Sequence, residues 1–405
     1  MTLSKSGNAL KKFFIKTYGC QMNFYDSGII ESGLLKNGFN KANSIGDADV
    51  VIINTCSVRD HAEHKIVSEL GRLKKNAPGK KIVLAGCFAK QLKIKNRNDG
   101  QKAGFFGNIN KPEKSGSLFF DYLFGPDEAP LIPDILRREA EKDGAGGCRG
   151  NGSERNYKDF GLSRKYFYDK ETESRTAAVK ITEGCDNYCS YCIVPYVRGR
   201  ERSIPFEIIC NTVRGEVLNG AENILLLGQN VNSYSSPEAG KDKKDFCRLI
   251  NYLSEIDGIG KIKFLTSHPK DFSDGLIDII RRNDKISKEI HLPVQAGSDK
   301  ILYAMNRGYT AGDYLKLVEK LRNGRSDISL STDIIVGFPG ESEEDFKSTL
   351  SLLDEVKFNF IFGFKYSPRP FTKAFEILDD VSAEEKKERL ERLFKKQKEI
   401  KSLYL

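Results

Sequence analysis

The stretch Glu183-Gly184-Cys185-Asp186-Asn187-Tyr188-Cys189-Ser190-Tyr191-Cys192-Ile193-Val194-Pro195-Tyr196 decides the reading of the larger part of the chain. It sets Cys185, Cys189 and Cys192 in a CxxxCxxC arrangement directly after the strand-like run Ala177 to Thr182. Five further runs follow: Ile224 to Gly228, Ile262 to Thr266, Ile290 to Val294, Ile328 to Val336 and Phe360 to Tyr366. Helix-like segments separate them, so the pattern is six strand-helix units of an incomplete parallel barrel, (β/α)6. A full eight-unit barrel takes about 250 residues, more than the roughly 200 that remain here.

In such barrels the chemistry sits at the carboxyl ends of the strands, which makes the cysteine loop a candidate active site. A four-iron cube is usually held by four cysteines, so a loop with three leaves one iron open to a small molecule. The competing reading is structural zinc, which wants four Cys or His ligands in a tetrahedron. The four histidines, His61, His64, His268 and His291, supply no local fourth ligand.

Upstream, strand then helix recurs in an α/β domain with a small open parallel sheet. Phe13 to Thr17, Val50 to Cys56 and Lys81 to Cys87 are strand-like, with an amphipathic segment from Asp26 to Leu35 and a helical stretch to about Lys74. Ligands of such sheets lie beyond the carboxyl ends of the strands. Cys20, Cys56 and Cys87 all fall there and form a second candidate metal triad. Cys210 and Cys247 read as packing residues, and Cys148, in GAGGCRGNG, as a surface thiol.

Domain boundaries follow from composition. Residues 12–137 form the amino-terminal domain with a polar insertion at about 93–117; residues 138–170 are linker, 171–380 the barrel and 381–405 a terminal helix. That helix is opened by the capping box Ser382-Ala383-Glu384-Glu385, with Leu390, Leu393, Phe394, Ile400 and Leu403 on one face.

Across 405 residues, 65 Lys and Arg against 56 Asp and Glu give a net charge of +9, a modest bias toward a polyanionic partner. The start of the chain offers only the apolar run Phe13 to Ile15, too short for a secretory signal, and no apolar run approaches membrane-spanning length. A cytoplasmic protein without membrane attachment is expected. In a reducing compartment, nine cysteines are better read as metal ligands than as disulfides.

Longer motifs carry a resemblance. KTYGCQMNFYDS around Cys20, NTCSVRDHAEHK around Cys56 and LAGCFAKQ around Cys87 resemble the amino-terminal cluster domain of the radical S-adenosylmethionine (radical SAM) methylthiotransferases. CIVPYVRGRERS from Cys192, LLGQNVNSY from Leu226 and HLPVQAGSDKILYAMNRGYT from His291 resemble the radical SAM barrel of the MiaB-type subgroup, which makes 2-methylthioadenosines in tRNA. The resemblance covers most of residues 12 to 400.

It implies two 4Fe-4S clusters, one on each triad, and S-adenosyl-L-methionine as cofactor. The cluster on Cys185, Cys189 and Cys192, with Tyr191 in the usual aromatic place, would generate a 5′-deoxyadenosyl radical. The cluster on Cys20, Cys56 and Cys87 would carry the sulfur, and a second S-adenosylmethionine would give the methyl group. The implied acceptor is carbon 2 of N6-isopentenyladenosine next to the anticodon. The implied partners are a tRNA anticodon stem-loop and an electron donor such as a flavodoxin or ferredoxin, with the protein as a monomer.

By position at strand ends, Gln229, Asn230, Ser267, Gln295, Ser298 and Gly337 are candidates for binding S-adenosylmethionine. Arg198, Arg200 and Arg202 are candidates for gripping the substrate. Three features depart from the subgroup: Phe371 stands where it has Gly, a polar insertion lies at about 93–117, and the family's small all-β RNA-binding domain is expected to be missing after Leu405. Alternatives left open are the same chemistry on threonylcarbamoyladenosine or on a ribosomal-protein aspartate, a non-catalytic RNA-binding or cluster-binding relative, and a radical enzyme acting on a small molecule.

Overall fold

The computed structural model describes residues 12–57, 60–76, 79–98, 119–142, 166–169, 174–236 and 245–404. They belong to two units, Met1–Lys165 and Tyr166–Leu405.

The first unit runs β1 (Lys12–Thr17), α1 (Gln21–Lys36), β2 (Asn40–Lys41), β3 (Val50–Thr55), α2 (Asp60–Asn76), β4 (Lys81–Gly86), α3 (Cys87–Asn98), β5 (Tyr122–Phe124) and α4 (Ile132–Lys142). The strands form one parallel sheet in the order β2-β1-β3-β4-β5. Every residue of β3 is buried, as expected for a central strand covered on both faces. Alternation along the strands divides the core. Val50, Ile52 and Val83 pack with Ile30 and Leu34 of α1 and Ile132 and Leu136 of α4, while Val51, Ile53 and Leu84 pack with Ile66 and Leu70 of α2 and Phe88 of α3.

Three expectations shift here. The first helix begins at Gln21, not Asp26, because Asn23, Asp26 and Ser27 are buried polar residues that hide its amphipathic start. α3 continues to Asn98, past the Lys93 start of the insertion, since Lys93 is held by Glu128 at 2.6 Å. α4 continues to Lys142, inside the span read as linker. The rest of the insertion and Cys148 lie outside the described residues.

The second unit runs β6 (Tyr166–Asp169), β7 (Ser174–Lys180), β8 (Thr182–Glu183), α5 (Val194–Arg198), β9 (Arg202–Ser203), α6 (Phe206–Leu218), β10 (Asn223–Leu227), α7 (Phe246–Ser254) and β11 (Lys261–Phe264). It continues with α8 (Asp274–Arg282), β12 (Glu289–His291), α9 (Asp299–Ala304), α10 (Ala311–Arg322), β13 (Ser329–Val336), α11 (Glu343–Val356), β14 (Phe360–Lys365) and α12 (Ala383–Tyr404). Parallel ladders join β7-β10-β11 and β12-β13-β14. A single parallel bridge, Ile262 to Ile286, links the two sets. The result is six parallel strands of a barrel left open between β14 and β7. β6, in the span read as linker, pairs antiparallel with β7 and covers that edge.

The other edge, β14, is covered by α12. A Cβ at Gly363 would lie 2.9 Å from Leu390 Cδ1 and from Phe394 Cζ, so the strand needs Gly for the helix to approach. The Ser382–Glu385 capping box forms, with Glu385 N donating to Ser382 Oγ at 3.1 Å. A buried ion pair, Arg389 to Glu341 at 3.0 Å, ties α12 to the start of α11. Leu393 and Ile400 are buried, whereas Leu403, expected on the same face, is 73% exposed.

Gly297 packs against the backbone of α11: an added Cβ would stand 2.5 Å from Thr349 Cα and 2.6 Å from Ser348 O. Gly297→Ala therefore overpacks the barrel wall and is expected to cost about 1–3 kcal/mol. Urea denaturation checks this; a midpoint equal to that of the parent protein contradicts it.

Candidate cluster and cofactor sites

The loop from Gly184 to Cys192 leaves the barrel just after β8, and each stretch of it is fixed by a different part of the barrel. Gly184 has φ +80, and a Cβ there would fall 2.2 Å from Arg200 O, so only Gly fits the turn. Gly184 N donates to Gln229 Oε1 at 2.6 Å and Cys185 N to Gly199 O at 3.2 Å. Farther along, Ser190 N donates to Met305 O at 2.9 Å, and Ser190 O accepts from Ala374 N at 2.8 Å. Asn306 Nδ2 donates to Asn187 O and Tyr188 O at 3.2 and 3.0 Å.

Cys185 and Cys189 are buried and Cys192 is half-buried; none is in a disulfide. Burial pushes the Cys185 thiol up to about 11 and the Cys192 thiol up to about 12. A thiolate here needs a cation beside it. Arg307 supplies one, its Nη1 reaching Cys189 Sγ at 3.3 Å. Among the described residues no three His, Cys, Asp or Glu side chains are grouped to hold a single metal ion.

Beyond the loop, β10 and β11 end in buried polar atoms with no hydrogen-bond partner: Asn230 Oδ1, Ser267 Oγ and His268 Nε2. Leaving such atoms unpaired is costly, and all three lie just beyond the carboxyl ends of adjacent strands, where ligands of such barrels bind. His268 Nδ1 accepts from Lys270 N at 3.3 Å, which leaves Nε2 as the protonated nitrogen of a neutral ring. Burial first, then the charges of Arg307 and Lys270, hold its pKa down at about 2. Its ring lies edge-on to Tyr309, whose hydroxyl accepts from Arg307 Nε at 3.0 Å, so this site connects to Cys189 through two side chains.

The residues put forward from sequence divide. Asn230 and Ser267 contribute to the unpartnered set, and Asn230 Nδ2 is anchored on Asp271 at 2.6 Å. Tyr191 packs beside Arg307, with its hydroxyl 3.4 Å from Nη1. Gln295, with φ +79, carries a backbone bridge to Ile334. Gln229 is used in holding Gly184. Ser298 is taken up by Asp345 at 2.6 Å, at the start of α9. Gly337 gives its N–H to Glu341 and lies against Lys386, where a Cβ would meet Cγ at 2.2 Å. These last three have structural partners that strand-end position alone does not reveal.

Of the arginines, Arg198 is buried against Glu183 at 3.6 Å and does not reach solvent as a phosphate grip must. Burial pushes the Glu183 carboxyl up, but Lys180, Arg198 and Arg202 outweigh it and hold it below the usual range. Arg200 and Arg202 are exposed. Phe371 takes φ +72, the left-handed conformation that favours Gly, and its ring lies 6.5 Å from that of Tyr196.

In the first unit, Cys56 and Cys87 directly follow β3 and β4, and Cys20 lies three residues beyond β1; the three strands are neighbours in the sheet. Glycine lets the segments that carry them pack closely. A Cβ on Gly19 would stand 2.6 Å from Cys56 Cβ, and one on Gly86 would stand 2.3 Å from Thr55 O. A buried amide net fixes the strand ends: Asn23 Nδ2 donates to Thr55 O at 3.0 Å and Asn54 Nδ2 to Asn23 O at 2.8 Å. Asn23 Oδ1 also accepts from Cys20 N and Cys20 Sγ. Of the two cysteines read as packing residues, Cys210 is buried in the barrel core, and Cys247 Sγ lies 3.6 Å from Ser273 Oγ.

Known proteins share these features. Residues 12–107 match the model of Uncharacterized protein family UPF0004, and residues 179–353 match that of the Radical SAM superfamily. The tRNA-2-methylthio-N(6)-dimethylallyladenosine synthase of Alkalilimnicola ehrlichii is 42% identical over 389 residues, 94% of this chain and 81% of that protein. The proteins of the same name from Natranaerobius thermophilus and Endomicrobium trichonymphae are 41% and 42% identical, covering 99% and 93% of this chain and 84% and 81% of their own lengths. Among solved structures, the radical S-adenosylmethionine methyltransferase TsrM from Kitasatospora setae, with cobalamin and a 4Fe-4S cluster bound, has a TM-score of 0.58 at 11% identity. The match covers 90% of this chain and 74% of that one, a likeness of fold. No helix among the described residues is long and apolar enough to cross a membrane.

The depressed His268 makes stability depend on pH. Between its ordinary 6.5 and about 2 in the fold, the unfolded chain binds a proton that the folded chain does not. Its contribution is therefore present above pH 6.5 and lost as pH falls below it, by about 1 kcal/mol per pH unit. Urea midpoints between pH 7.5 and 5 should fall less steeply in His268→Asn than in the parent; equal slopes contradict the assignment.

Proposed function

The chain belongs to the tRNA-2-methylthio-N(6)-dimethylallyladenosine synthases of the radical SAM superfamily, and from that membership we propose that it replaces the hydrogen on carbon 2 of N6-dimethylallyladenosine in tRNA with a methylthio group. The observation that carries the reading in this chain is the three-cysteine loop at the barrel mouth, linked through Arg307 and Tyr309 to buried polar atoms that lack partners.

Carbon 2 of an adenine carries an unactivated C–H bond with no acidic proton for a general base to remove. When bound, the clusters and S-adenosylmethionine supply the electron, the 5′-deoxyadenosyl radical that takes that hydrogen, the sulfur and the methyl group. The chain's own residues hold and orient. Cys185, Cys189 and Cys192 would hold the barrel cluster, and Cys20, Cys56 and Cys87 would hold the second. Asn230 Oδ1, Ser267 Oγ and the N–H of His268 receive the polar groups of S-adenosylmethionine, and burial keeps water out of that contact. Gln229 and Asn306 keep the loop rigid while the cofactor binds. Arg200 and Arg202, exposed beside the loop, meet phosphates of the tRNA anticodon stem-loop. A flavodoxin or ferredoxin provides the electron, and the protein works as a monomer in the cytoplasm.

The test is mass spectrometry of tRNA nucleosides from cells that lack this modification and express the chain. The 2-methylthio form of N6-dimethylallyladenosine is expected with the parent sequence and is absent with Cys189→Ala. A methylthio group found instead on threonylcarbamoyladenosine or a ribosomal-protein aspartate, or no product from protein carrying both clusters, contradicts the proposal.

A further inference from the structure

Arg307 has an unusual set of partners for a buried cation. The residue is 4% exposed, and its guanidinium meets only neutral oxygens, an aromatic ring and a thiol. Nη1 reaches Cys189 Sγ at 3.3 Å and Tyr191 Oη at 3.4 Å; Nη2 donates to Pro293 O at 2.8 Å; Nε donates to Tyr309 Oη at 3.0 Å, with that ring 5.4 Å away. Among the described residues no Asp or Glu pairs with it. Two other buried arginines of this unit do have a carboxylate: Arg389 has Glu341 at 3.0 Å and Arg198 has Glu183 at 3.6 Å.

A desolvated cation without a counter-ion is strongly disfavoured. The fold nonetheless fixes this one at both ends, and it does so in a turn devoted to the cluster loop. Three consecutive residues grip that loop: Met305 through its carbonyl on Ser190 N, Asn306 through its amide on the carbonyls of Asn187 and Tyr188, and Arg307 through its guanidinium on Cys189. Asn306 takes φ +56 to do so. Tyr191 and Tyr309 keep water from the charge, which makes its field at the sulfur stronger than an exposed arginine's would be.

We propose that Arg307 is a positioning residue that raises the reduction potential of the cluster on Cys185, Cys189 and Cys192, through its unneutralised charge and its N–H···S bond to Cys189. The inference rests on the reading that a four-iron cube occupies this triad. A cube on three thiolates is anionic, so it is the counter-ion that the protein withholds from Arg307. Reduction adds one electron from a low-potential one-electron donor and no proton, and so adds one negative charge beside the guanidinium. The cation then stabilises the reduced form more than the oxidised form, and hydrogen bonds to cluster sulfurs act in the same direction.

The test uses the full chain carrying Cys20→Ala/Cys56→Ala/Cys87→Ala, so that only the barrel cluster remains. It is reconstituted without oxygen, assayed for iron, and titrated with dithionite under electron paramagnetic resonance. Iron absent from this parent overturns the cluster reading itself, separately from the role of Arg307. With iron present, Arg307→Met should lower the reduced-to-oxidised ratio at a fixed potential at least tenfold, a 59 mV shift for a one-electron couple. Arg307→Lys, which keeps the charge without the fork, should lower it at least twofold. Tyr309→Phe, which leaves both the charge and the sulfur contact, should stay within twofold. An unchanged potential in Arg307→Met, or an equal shift in Tyr309→Phe, overturns the proposal. If Arg307→Met takes up no iron, Arg307→Lys decides by the same measure; if neither takes up iron, Arg307 serves only to build the loop and the proposal fails.

Discussion

A loop with little regular secondary structure, from Gly184 to Cys192, must hold three thiols in place although hydrogen bonds within itself satisfy little of its backbone. The barrel resolves this by supplying partners from several of its parts: Gln229 after β10, Met305 and Asn306 after α9, and Ala374 after β14. Each of those residues lies at or beyond the carboxyl end of its strand, so the loop can be fixed only once the strands stand side by side. Closure of the edges by β6 and α12 therefore matters to the site as well as to stability. A loop supported on all sides also keeps its geometry when charge is added to what it holds, as preorganised sites require.

The first unit solves the same problem with different chemistry. Its three cysteines sit at the ends of adjacent parallel strands, and the buried amides of Asn23 and Asn54 cross-link the backbone where the strands stop. Glycines at positions 19 and 86 let the neighbouring segments approach more closely than any side chain would allow. In both units the sheet provides the edge, and polar side chains, not further strands, set the exact placement of the thiols.

Much of this was legible in the sequence because parallel strands buried on both faces read as short apolar runs, and a cysteine or glycine ends them visibly. All six barrel strands and three of the five amino-terminal strands lie where those runs fall. β6 was not legible because its role is to cover an edge. The start of α1 was hidden because buried Asn23, Asp26 and Ser27 look like an exposed face. Position at a strand end does not show which of these residues already have partners: Gln229, Ser298 and Gly337 do, 45, 47 and 4 residues away, whereas Asn230 Oδ1 and Ser267 Oγ do not. Arg307 and His268 carry no such signal in sequence: Arg307 lies inside a longer motif, and His268 has no cysteine or histidine ligand near it in the chain. Phe371 was marked from the sequence as a position made for Gly, and its backbone is left-handed.

The central claim is that each of the two triads binds its own cluster. Iron and sulfide analysis of anaerobically prepared protein tests it most directly, comparing the parent with the triple alanine variants of Cys20/Cys56/Cys87 and of Cys185/Cys189/Cys192. The account predicts about eight irons in the parent and about four in each variant, as two independent cubes require. Zinc in place of iron, or a single cluster that persists when the barrel triad is removed, would contradict it.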